Sequence, residues 1–228
     1  MTLSRIGGFA ALVCAATYLI GFALLVTLLA PLGFGTSRID PAAIVTFIDA
    51  RPGVMIAWNT TIYVVNALAL VVLVVALAHR LSPAPGLVDV TRGFGLIWAA
   101  LVLGAGMIAN VAVERAAVLF AEDPVAAADL WAVLHAIELG LGGGNEIAGG
   151  IWILCVSIAA GRTRRLPRNV NALGLLTGLG GLVTIFPPLG DVAGAVFGVS
   201  AIAWFIAVGV ALLRRGGTAA AGVGGRAA

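Results

Sequence analysis

VMIAWNTTIYVVNALALVVLVVALA, at residues 54–78, contains no charged side chain. An α-helix needs about 20 apolar residues to cross the hydrocarbon core of a bilayer. Pro52 and Gly53 stand directly before this stretch, and His79 and Arg80 follow it. The stretch therefore has the length and the boundaries of a membrane-spanning helix.

The composition of the whole chain indicates the same class of protein. The chain has 228 residues, of which 61% are hydrophobic and 10% are charged, whereas soluble domains carry about 25% charged residues. A soluble protein of this composition would have too few polar side chains to cover its surface. We predict one integral membrane domain over residues 1–215, followed by a disordered Gly/Ala-rich tail at 216–228.

Six stretches have the length and hydropathy expected of membrane helices. They lie at about residues 6–30, 54–78, 94–118, 141–161, 169–187 and 191–213. Proline cannot continue a helix, so Pro187-Pro188 ends the fifth stretch. The sequence predicts an all-α, polytopic bundle of six transmembrane helices.

The arginine residues predict the orientation of this bundle. With six spans, three of the 13 arginines (Arg38, Arg51 and Arg115) fall on one side, and the other ten fall on the side of both termini. Cytoplasmic loops carry an excess of basic residues, so we expect both termini in the cytoplasm. The chain has no lysine, which fits a GC-rich bacterial genome, and we expect the bacterial cytoplasmic membrane.

Residues 124–161 are too many for one span, since a continuous helix of this length covers about 55 Å. Two arrangements are open. Residues 125–141 lie at the outer interface and the chain then turns inward, or one long helix projects outward and bends. Successive glycines weaken a helix, so we expect a break or kink at Gly142–Gly144, with Asn145 as a candidate N-cap of the inner half.

Polar side chains recur at predicted membrane depth, where a charged group costs at least about 2.5–3.5 kcal/mol and often marks a functional site. Many are spaced three or four residues apart, which places them on one helix face. The ligand-binding candidates are Asn59 and Tyr63 in the second span, Asn110 and Glu114 in the third, His135, Glu138, Asn145 and Glu146 in the fourth segment, and Asp191 at the start of the sixth.

The predicted orientation places these side chains in the outer half of the bilayer, around a carboxylate-lined pocket. Glu146 carries the strongest functional indication, because it follows the glycine run and precedes an apolar stretch. The others also have structural interpretations. These are interhelical hydrogen bonds for Asn59 and Asn110, contact with water for Glu114, the wet face of an interfacial helix for His135 and Glu138, and a helix N-cap for Asp191.

The histidine count argues against several metal chemistries. His79 and His135 are the two histidines, and they fall on opposite predicted sides, which excludes three-histidine and paired-histidine haem sites. Di-iron bundles carry two Glu-x-x-His pairs, whereas this chain has one pair in reversed order, His135 and Glu138. We predict no metal and no other cofactor. Without a basic stripe, we also predict no binding of nucleic acid.

Gly190, Gly194 and Gly198 recur every fourth residue. Such small-residue faces allow membrane helices to approach closely. This face therefore predicts helix packing within the chain or, alternatively, a homodimer contact.

Residues 166–178 read LPRNVNALGLLTG, after a helix predicted to end at Arg162, and residues 5–8 read RIGG. With the six-span length, these motifs resemble a family of small bacterial membrane proteins catalogued as domain of unknown function 4386. The resemblance covers most of residues 5–213. It implies a six-helix membrane fold and brings no catalytic residues.

Three functions remain open from the sequence. The first is binding of a small lipophilic or cationic ligand, since Arg115 is the only base near the predicted acids. The second is proton- or cation-coupled transport with Glu146 as the coupling group. The third is a membrane enzyme acting on a lipid or isoprenoid through acid/base carboxylates, so enzymatic activity is left undecided.

Overall fold

The computed structural model describes residues 1–34, 39–143 and 146–221, and this part of the chain contains helices and no strand. The α-helices, in chain order, are α1 (Leu3–Leu24), α2 (Pro41–Ala50), α3 (Pro52–Asn59), α4 (Asn66–Arg80), α5 (Pro85–Phe120), α6 (Pro124–Glu138), α7 (Ile147–Thr163), α8 (Arg168–Val183) and α9 (Gly190–Ala221). Two wider π-helical segments, Leu25–Leu29 and Thr60–Val65, adjoin α-helices. A further short segment, Leu139–Gly143, follows α6 and is interrupted at Gly142. The prediction of an all-helical chain is confirmed.

Within the described part of the chain, five helical segments are long and apolar enough to cross a membrane. They are Leu3–Leu32, Pro52–Arg80, Gly86–Phe120, Pro124–Thr163 and Pro187–Arg214. They correspond to five of the six predicted stretches, and each contains an uncharged or nearly uncharged run of helix-forming residues. The apolar, helical character expected of a membrane protein is therefore present.

The predicted fifth span, 169–187, has a shorter helix than expected. Helix α8 has 16 residues and ends at Val183, so it is about 24 Å long at 1.5 Å per residue. The residues between its end and Pro187 form turns. A hydrocarbon core of about 30 Å exceeds this length, and a sixth crossing remains a prediction.

The chain packs as two compact units. Unit 1 consists of Met1–Ala16, Leu68–Ala99 and Glu146–Ala228, and unit 2 of Thr17–Ala67 and Ala100–Asn145. The single membrane domain over 1–215 remains a prediction. Helix α9 ends at Ala221, inside the predicted disordered tail, and residues 222–228 lie outside the described part.

Unit 1 contains a closely packed group of helices, α7, α8 and α9. A Cβ atom added to Gly150 of α7 would lie 2.8 Å from the carbonyl oxygen of Gly178 of α8. Only glycine lets the two backbones approach this closely. By contrast, nothing described lies within 4 Å of a Cβ added to Gly194, so the close approach of α7 and α8 depends on Gly150 and Gly178 and not on Gly194. The role of the predicted Gly190/Gly194/Gly198 face in packing or in a homodimer stays a prediction.

The long segment 124–163 is not one continuous α-helix. Helix α6 begins after Asp123, whose carboxylate accepts hydrogen bonds from the backbone of Val125 and Ala126, as the Asp-Pro sequence predicts. After α6, Gly142 has φ 134° and ψ 9°, a conformation that favours glycine. Gly144 and Asn145, to which the predicted break and N-cap also refer, lie outside the described residues.

Candidate functional site

The core of unit 2 is an apolar cluster rich in aromatic side chains. Phe34 contacts Trp58 edge to face at a centroid distance of 5.4 Å, and Trp131 at 6.1 Å. Aliphatic side chains of α2, including Ile44 and Ile48, complete this cluster. The interior of unit 2 is therefore a low-dielectric environment, in which each polar group needs a partner.

Three polar side chains meet in this interior, and we call them the polar cluster: Tyr63, His135 and Glu138. The Tyr63 hydroxyl donates to Glu138 Oε1 at 2.5 Å. His135 Nδ1 lies 2.7 Å from Glu138 Oε2. Glu138 is only 3% exposed, so its carboxyl group is satisfied by protein side chains rather than by water.

Local helix geometry assembles this cluster. His135 and Glu138 are three residues apart on α6, so they share one helix face. Tyr63 belongs to the π-helical segment Thr60–Val65, and Gly106 of α5 leaves the space that the Tyr63 Cβ occupies. Widened turns such as Thr60–Val65 are frequent at functional sites. The segment Leu139–Gly143, which begins directly after Glu138, is interrupted at Gly142, whose backbone is not helical.

The imidazole of His135 is enclosed by aromatic rings. It stacks on Trp131, one turn earlier on α6, with 4.6 Å between ring centroids and 18° between ring planes. The ring of Phe34 contacts it edge-on at 6.0 Å. These contacts fix the plane of the imidazole, and Glu138 fixes its Nδ1 edge.

Among the described residues of unit 2, three buried polar atoms have no hydrogen-bond partner: His135 Nε2, Trp58 Nε1 and Asn110 Oδ1. An unsatisfied buried donor or acceptor costs about 1–3 kcal/mol, and native proteins contain few such atoms. The rings of His135 and Trp58, which carry two of these atoms, both contact the ring of Phe34. Unsatisfied polar atoms therefore adjoin the aromatic part of this core.

The other predicted residues of unit 2 have different environments. Asn59, the last residue of α3, is buried, and the amide of Asn110 donates to Thr60 Oγ1 at 3.0 Å. The hydrogen bond between Asn110 and Thr60 links two helical segments, as the structural interpretation of Asn110 expects. Glu114 is exposed, so it contributes no buried carboxylate to this core.

Glu146 and Asp191 belong to unit 1. The backbone N–H of Glu146 donates to Thr184 Oγ1 at 3.1 Å, and its side chain is half-buried at the start of α7. Asp191 is exposed in the first turn of α9. Asn145 lies outside the described residues. The nine predicted residues therefore include three, Tyr63, His135 and Glu138, that are in direct contact.

Sequence reasoning missed the aromatic part of the site. Trp131 precedes His135 by four residues, a spacing that places both on one helix face, and this signal was available. Phe34 precedes a segment with no recognisable periodicity, and its contact with His135 joins residues far apart in the chain. No pattern within one helix indicates such a contact.

Unit 2 also contains an open groove of about 240 Å³ between α2 and α6. It is lined mainly by apolar side chains, with Thr46 and Asp129 as the polar ones. Asp129 is exposed. Asp129 is the carboxylate that lines this groove, so a cation bound there would meet its side chain.

The residues described here contain no group of three or more His, Cys, Asp or Glu side chains suited to hold a metal ion. No family model, curated protein or solved structure matches the chain. The resemblance to domain of unknown function 4386 therefore stays a prediction.

Proposed function

We propose that this chain is a multi-pass protein of the bacterial cytoplasmic membrane that binds a small lipophilic ligand in the core of unit 2. Five long apolar helical segments among the described residues support the membrane part of this proposal. We further propose that α8 forms a sixth crossing and that both termini are cytoplasmic. The unequal distribution of arginine residues supports this orientation.

The observation that carries the binding proposal is the unpartnered Nε2 atom of His135. This atom is buried, and the ring that holds it is oriented by Glu138 and enclosed by Phe34 and Trp131. Ligand pockets typically combine apolar and aromatic walls with a few fixed polar groups. His135 supplies such a fixed group within an aromatic wall.

A lipophilic ligand fits this core better than a cationic one. Both oxygens of Glu138 already accept or share a hydrogen bond with Tyr63 and His135. A cation would have to displace one of these partners, whereas a neutral ligand would not. The exposed carboxylate of Asp129 is the alternative position for a cation, outside the buried core.

This function can be tested through the compounds that remain bound during purification. We expect a lipophilic compound to be extracted with organic solvent from wild-type protein in polymer nanodiscs and identified by mass spectrometry. The substitution His135→Ala should lower its amount at least fivefold. His79→Ala is the matched control, because His79 is the second histidine and is exposed.

Equal retention by the wild type and by His135→Ala would contradict the proposal. Circular dichroism and gel filtration of each variant distinguish loss of ligand from loss of fold. A loss that follows Asp129→Asn and not His135→Ala would favour the cationic ligand in the groove instead.

Transport is a second candidate, supported by the interruption of the helical segment at Gly142. Discontinuous helices near the middle of the membrane are typical of secondary transporters. Glu146 lies directly after this region and is the proposed coupling group. Transport predicts pH-dependent uptake into proteoliposomes that Glu146→Gln abolishes, with Glu114→Gln as the control.

Catalysis is a third candidate, supported by the pairing of His135 with Glu138. A carboxylate that orients a histidine leaves Nε2 available as a general acid or base. An enzyme predicts an altered lipid or isoprenoid in extracts of expressing cells, and this product should be absent with His135→Ala. Binding without catalysis predicts the same lipid profile for both proteins.

A further inference from the structure

The arginine residues of the chain are concentrated in one of its two units. Unit 1 contains ten of the 13 arginines and three of the 10 acidic residues. Unit 2 has the opposite balance, with three arginines and seven acids. An arginine side chain does not lose its proton in proteins, so the positive charge of unit 1 does not depend on any titration.

Close contacts among α1, α4 and α9 bring several of these arginines to one end of unit 1. A Cβ added to Gly7 of α1 would meet both Ala76 of α4 and Leu212 of α9. Each of these three residues lies at most four positions from an arginine of its own helix, namely Arg5, Arg80 and Arg214. The start of α1 and the arginine-bearing ends of α4 and α9 therefore lie together.

The turn between α7 and α8 belongs to the same end of unit 1. Arg80 Nε donates a hydrogen bond to the backbone oxygen of Arg165 at 3.2 Å, which joins the end of α4 to this turn. The backbone N–H groups of Arg164 and Arg165 both donate to the carbonyl oxygen of Ala160, which defines the path of the turn. Within seven residues the turn and its flanks carry Arg162, Arg164, Arg165 and Arg168.

We call this end of unit 1, formed by the start of α1, the ends of α4 and α9 and the α7–α8 turn, the basic end. Two of the acids of unit 1, Glu146 and Asp191, lie at the starts of α7 and α9, far along each helix from the arginines. Among the described residues, no carboxylate lies within 4.0 Å of the exposed guanidinium groups of Arg162, Arg164 and Arg168. These charges therefore attract an external anion.

The first turn of α8 adds to this attraction. Pro167 is the N-cap residue, and no side chain caps the helix by a hydrogen bond. The first N–H groups of this 16-residue helix consequently have no side-chain acceptor, and the positive end of the helix dipole lies beside Arg168. Both features favour negative charge at the position that the arginines already select.

Exposed apolar side chains continue from these arginines along the two helices. On α7, the exposed Ile158 lies four residues before Arg162. On α8, the exposed Leu175 and Leu179 lie seven and eleven residues after Arg168. Such spacings keep side chains on one helix face. A phospholipid can use both the charged end and the apolar faces, whereas a soluble phosphate compound can use only the charged end.

We propose that the basic end of unit 1 binds the headgroups of anionic phospholipids, with the acyl chains along the exposed apolar faces of α7 and α8. Clusters of basic residues at the ends of membrane helices recognise acidic lipids, and the guanidinium fork matches the geometry of phosphate oxygens. The polar cluster of unit 2 takes no part in this binding. The inference and the proposed ligand of unit 2 can therefore fail independently.

The test measures lipid bound to the purified full chain, held on an affinity resin in detergent, by mass spectrometry of the extracted lipid. Phosphatidylglycerol and phosphatidylcholine with identical acyl chains are titrated separately, so that only the headgroup differs. Glycerophosphoglycerol supplies the anionic headgroup without acyl chains. The variant Arg162→Gln/Arg168→Gln removes two charges from the basic end, and Arg51→Gln/Arg115→Gln removes two exposed charges from unit 2 as the matched control.

We expect the wild type to bind phosphatidylglycerol with a Kd about tenfold or more below that of phosphatidylcholine at low salt. One arginine near an anionic lipid contributes roughly fivefold in affinity, so Arg162→Gln/Arg168→Gln should raise the Kd of phosphatidylglycerol by about tenfold or more. The control variant should change it by less than about twofold. High salt should weaken binding of phosphatidylglycerol and leave that of phosphatidylcholine unchanged, because salt screens exposed charges.

Equal Kd values for the two lipids, or binding of phosphatidylglycerol that salt does not weaken, would overturn the inference. An equal loss in both double variants would also overturn it, since overall charge would then explain the preference. Glycerophosphoglycerol binding as tightly as phosphatidylglycerol would replace the lipid by a soluble anion. The headgroup preference and the salt dependence of the wild type remain decisive if a variant does not fold, and neither should change with His135→Ala.

Discussion

Glu138 and Glu114 show how differently two carboxylates of one small protein are placed. Glu138 is buried and bonded to Tyr63 and His135, whereas Glu114 is exposed. Their sequence contexts are similar, since each lies in a predominantly apolar helix. Burial, rather than residue type, decides which of them contributes to the interior of unit 2.

This difference leads to a prediction about stability. Glu138→Gln replaces one carboxyl oxygen by an amide NH₂ group, which donates where the oxygen accepted. One buried hydrogen bond, to Tyr63 or to His135 Nδ1, is therefore lost or has its donor and acceptor exchanged. We expect the free energy of unfolding to fall by about 1–3 kcal/mol, measured by denaturant titration in detergent. Glu114→Gln should change it by less than about 0.5 kcal/mol. Equal effects of both substitutions would contradict the structural role of Glu138.

The candidate site could be predicted from sequence residue by residue but not as an assembly. Tyr63, His135 and Glu138 each stood out as polar side chains in apolar segments, yet Glu146 received more weight because of its glycine run. The contact between Tyr63 and Glu138 joins residues 75 positions apart. It depends on tertiary packing of separate helices, which helical spacing within either segment does not report.

At the level of elements, close backbone contacts and positive φ angles make particular glycines necessary. Gly150→Ala places a Cβ 2.8 Å from the Gly178 carbonyl and 3.0 Å from the Leu182 nitrogen. Backbone atoms cannot yield as a flexible side chain does, so we expect destabilisation by about 1–3 kcal/mol or more. Thermal unfolding of the purified protein measures this effect.

Gly194→Ala is the control for this substitution, since a Cβ there meets open space. Alanine is the better helix former by about 1 kcal/mol, so the variant should unfold at the same or a higher temperature. A large loss of stability, accompanied by loss of a dimer in cross-linking, would instead support the predicted Gly190/Gly194/Gly198 homodimer face.

Gly142 provides a test in which only backbone conformation matters. Nothing described lies within 4 Å of an added Cβ, but its φ of 134° is strained for any other residue. We expect Gly142→Ala to destabilise the protein by about 1 kcal/mol or more. Gly140→Ala, in the same segment and with equally open space, should have a smaller effect. Differential scanning fluorimetry of both variants provides the comparison.

Helix starts were only partly recognised from the sequence. Asp123 caps α6 and Pro124 occupies its first turn, a start that the Asp-Pro pair indicates from the sequence. Asp40-Pro41 has the same two residues, and Asp40 likewise accepts hydrogen bonds from the backbone of Ala42 and Ala43. Helix α2 was nevertheless not predicted, because at 10 residues it is too short to stand out among much longer apolar stretches.

At the level of the whole molecule, the length of α8 determines the orientation of the C-terminus. If α8 crosses the membrane, the number of spans is even and both termini lie on one side. If it does not, the five long segments place the termini on opposite sides. The arginine distribution favours the first arrangement, and the helix length of 16 residues favours the second.

Labelling of single cysteines separates these arrangements. In a background with Cys14 and Cys155 replaced by alanine, we expect Asp49→Cys to react with an impermeant maleimide from outside the cell. Thr2→Cys and Arg214→Cys should react only after permeabilisation. External labelling of Arg214→Cys would exclude the sixth crossing, and external labelling of Thr2→Cys would exclude the predicted orientation.

The contacts of Tyr63 in the polar cluster depend on the number of residues in the π-helical segment Thr60–Val65. A π turn holds one more residue than an α turn, and each residue of a helix turns the chain by about 100°. Deleting Thr61 would leave hydropathy and charge nearly unchanged while rotating the residues on its two sides relative to each other. The pairing of Tyr63 with Glu138 is thus encoded by the number of residues as much as by their identity.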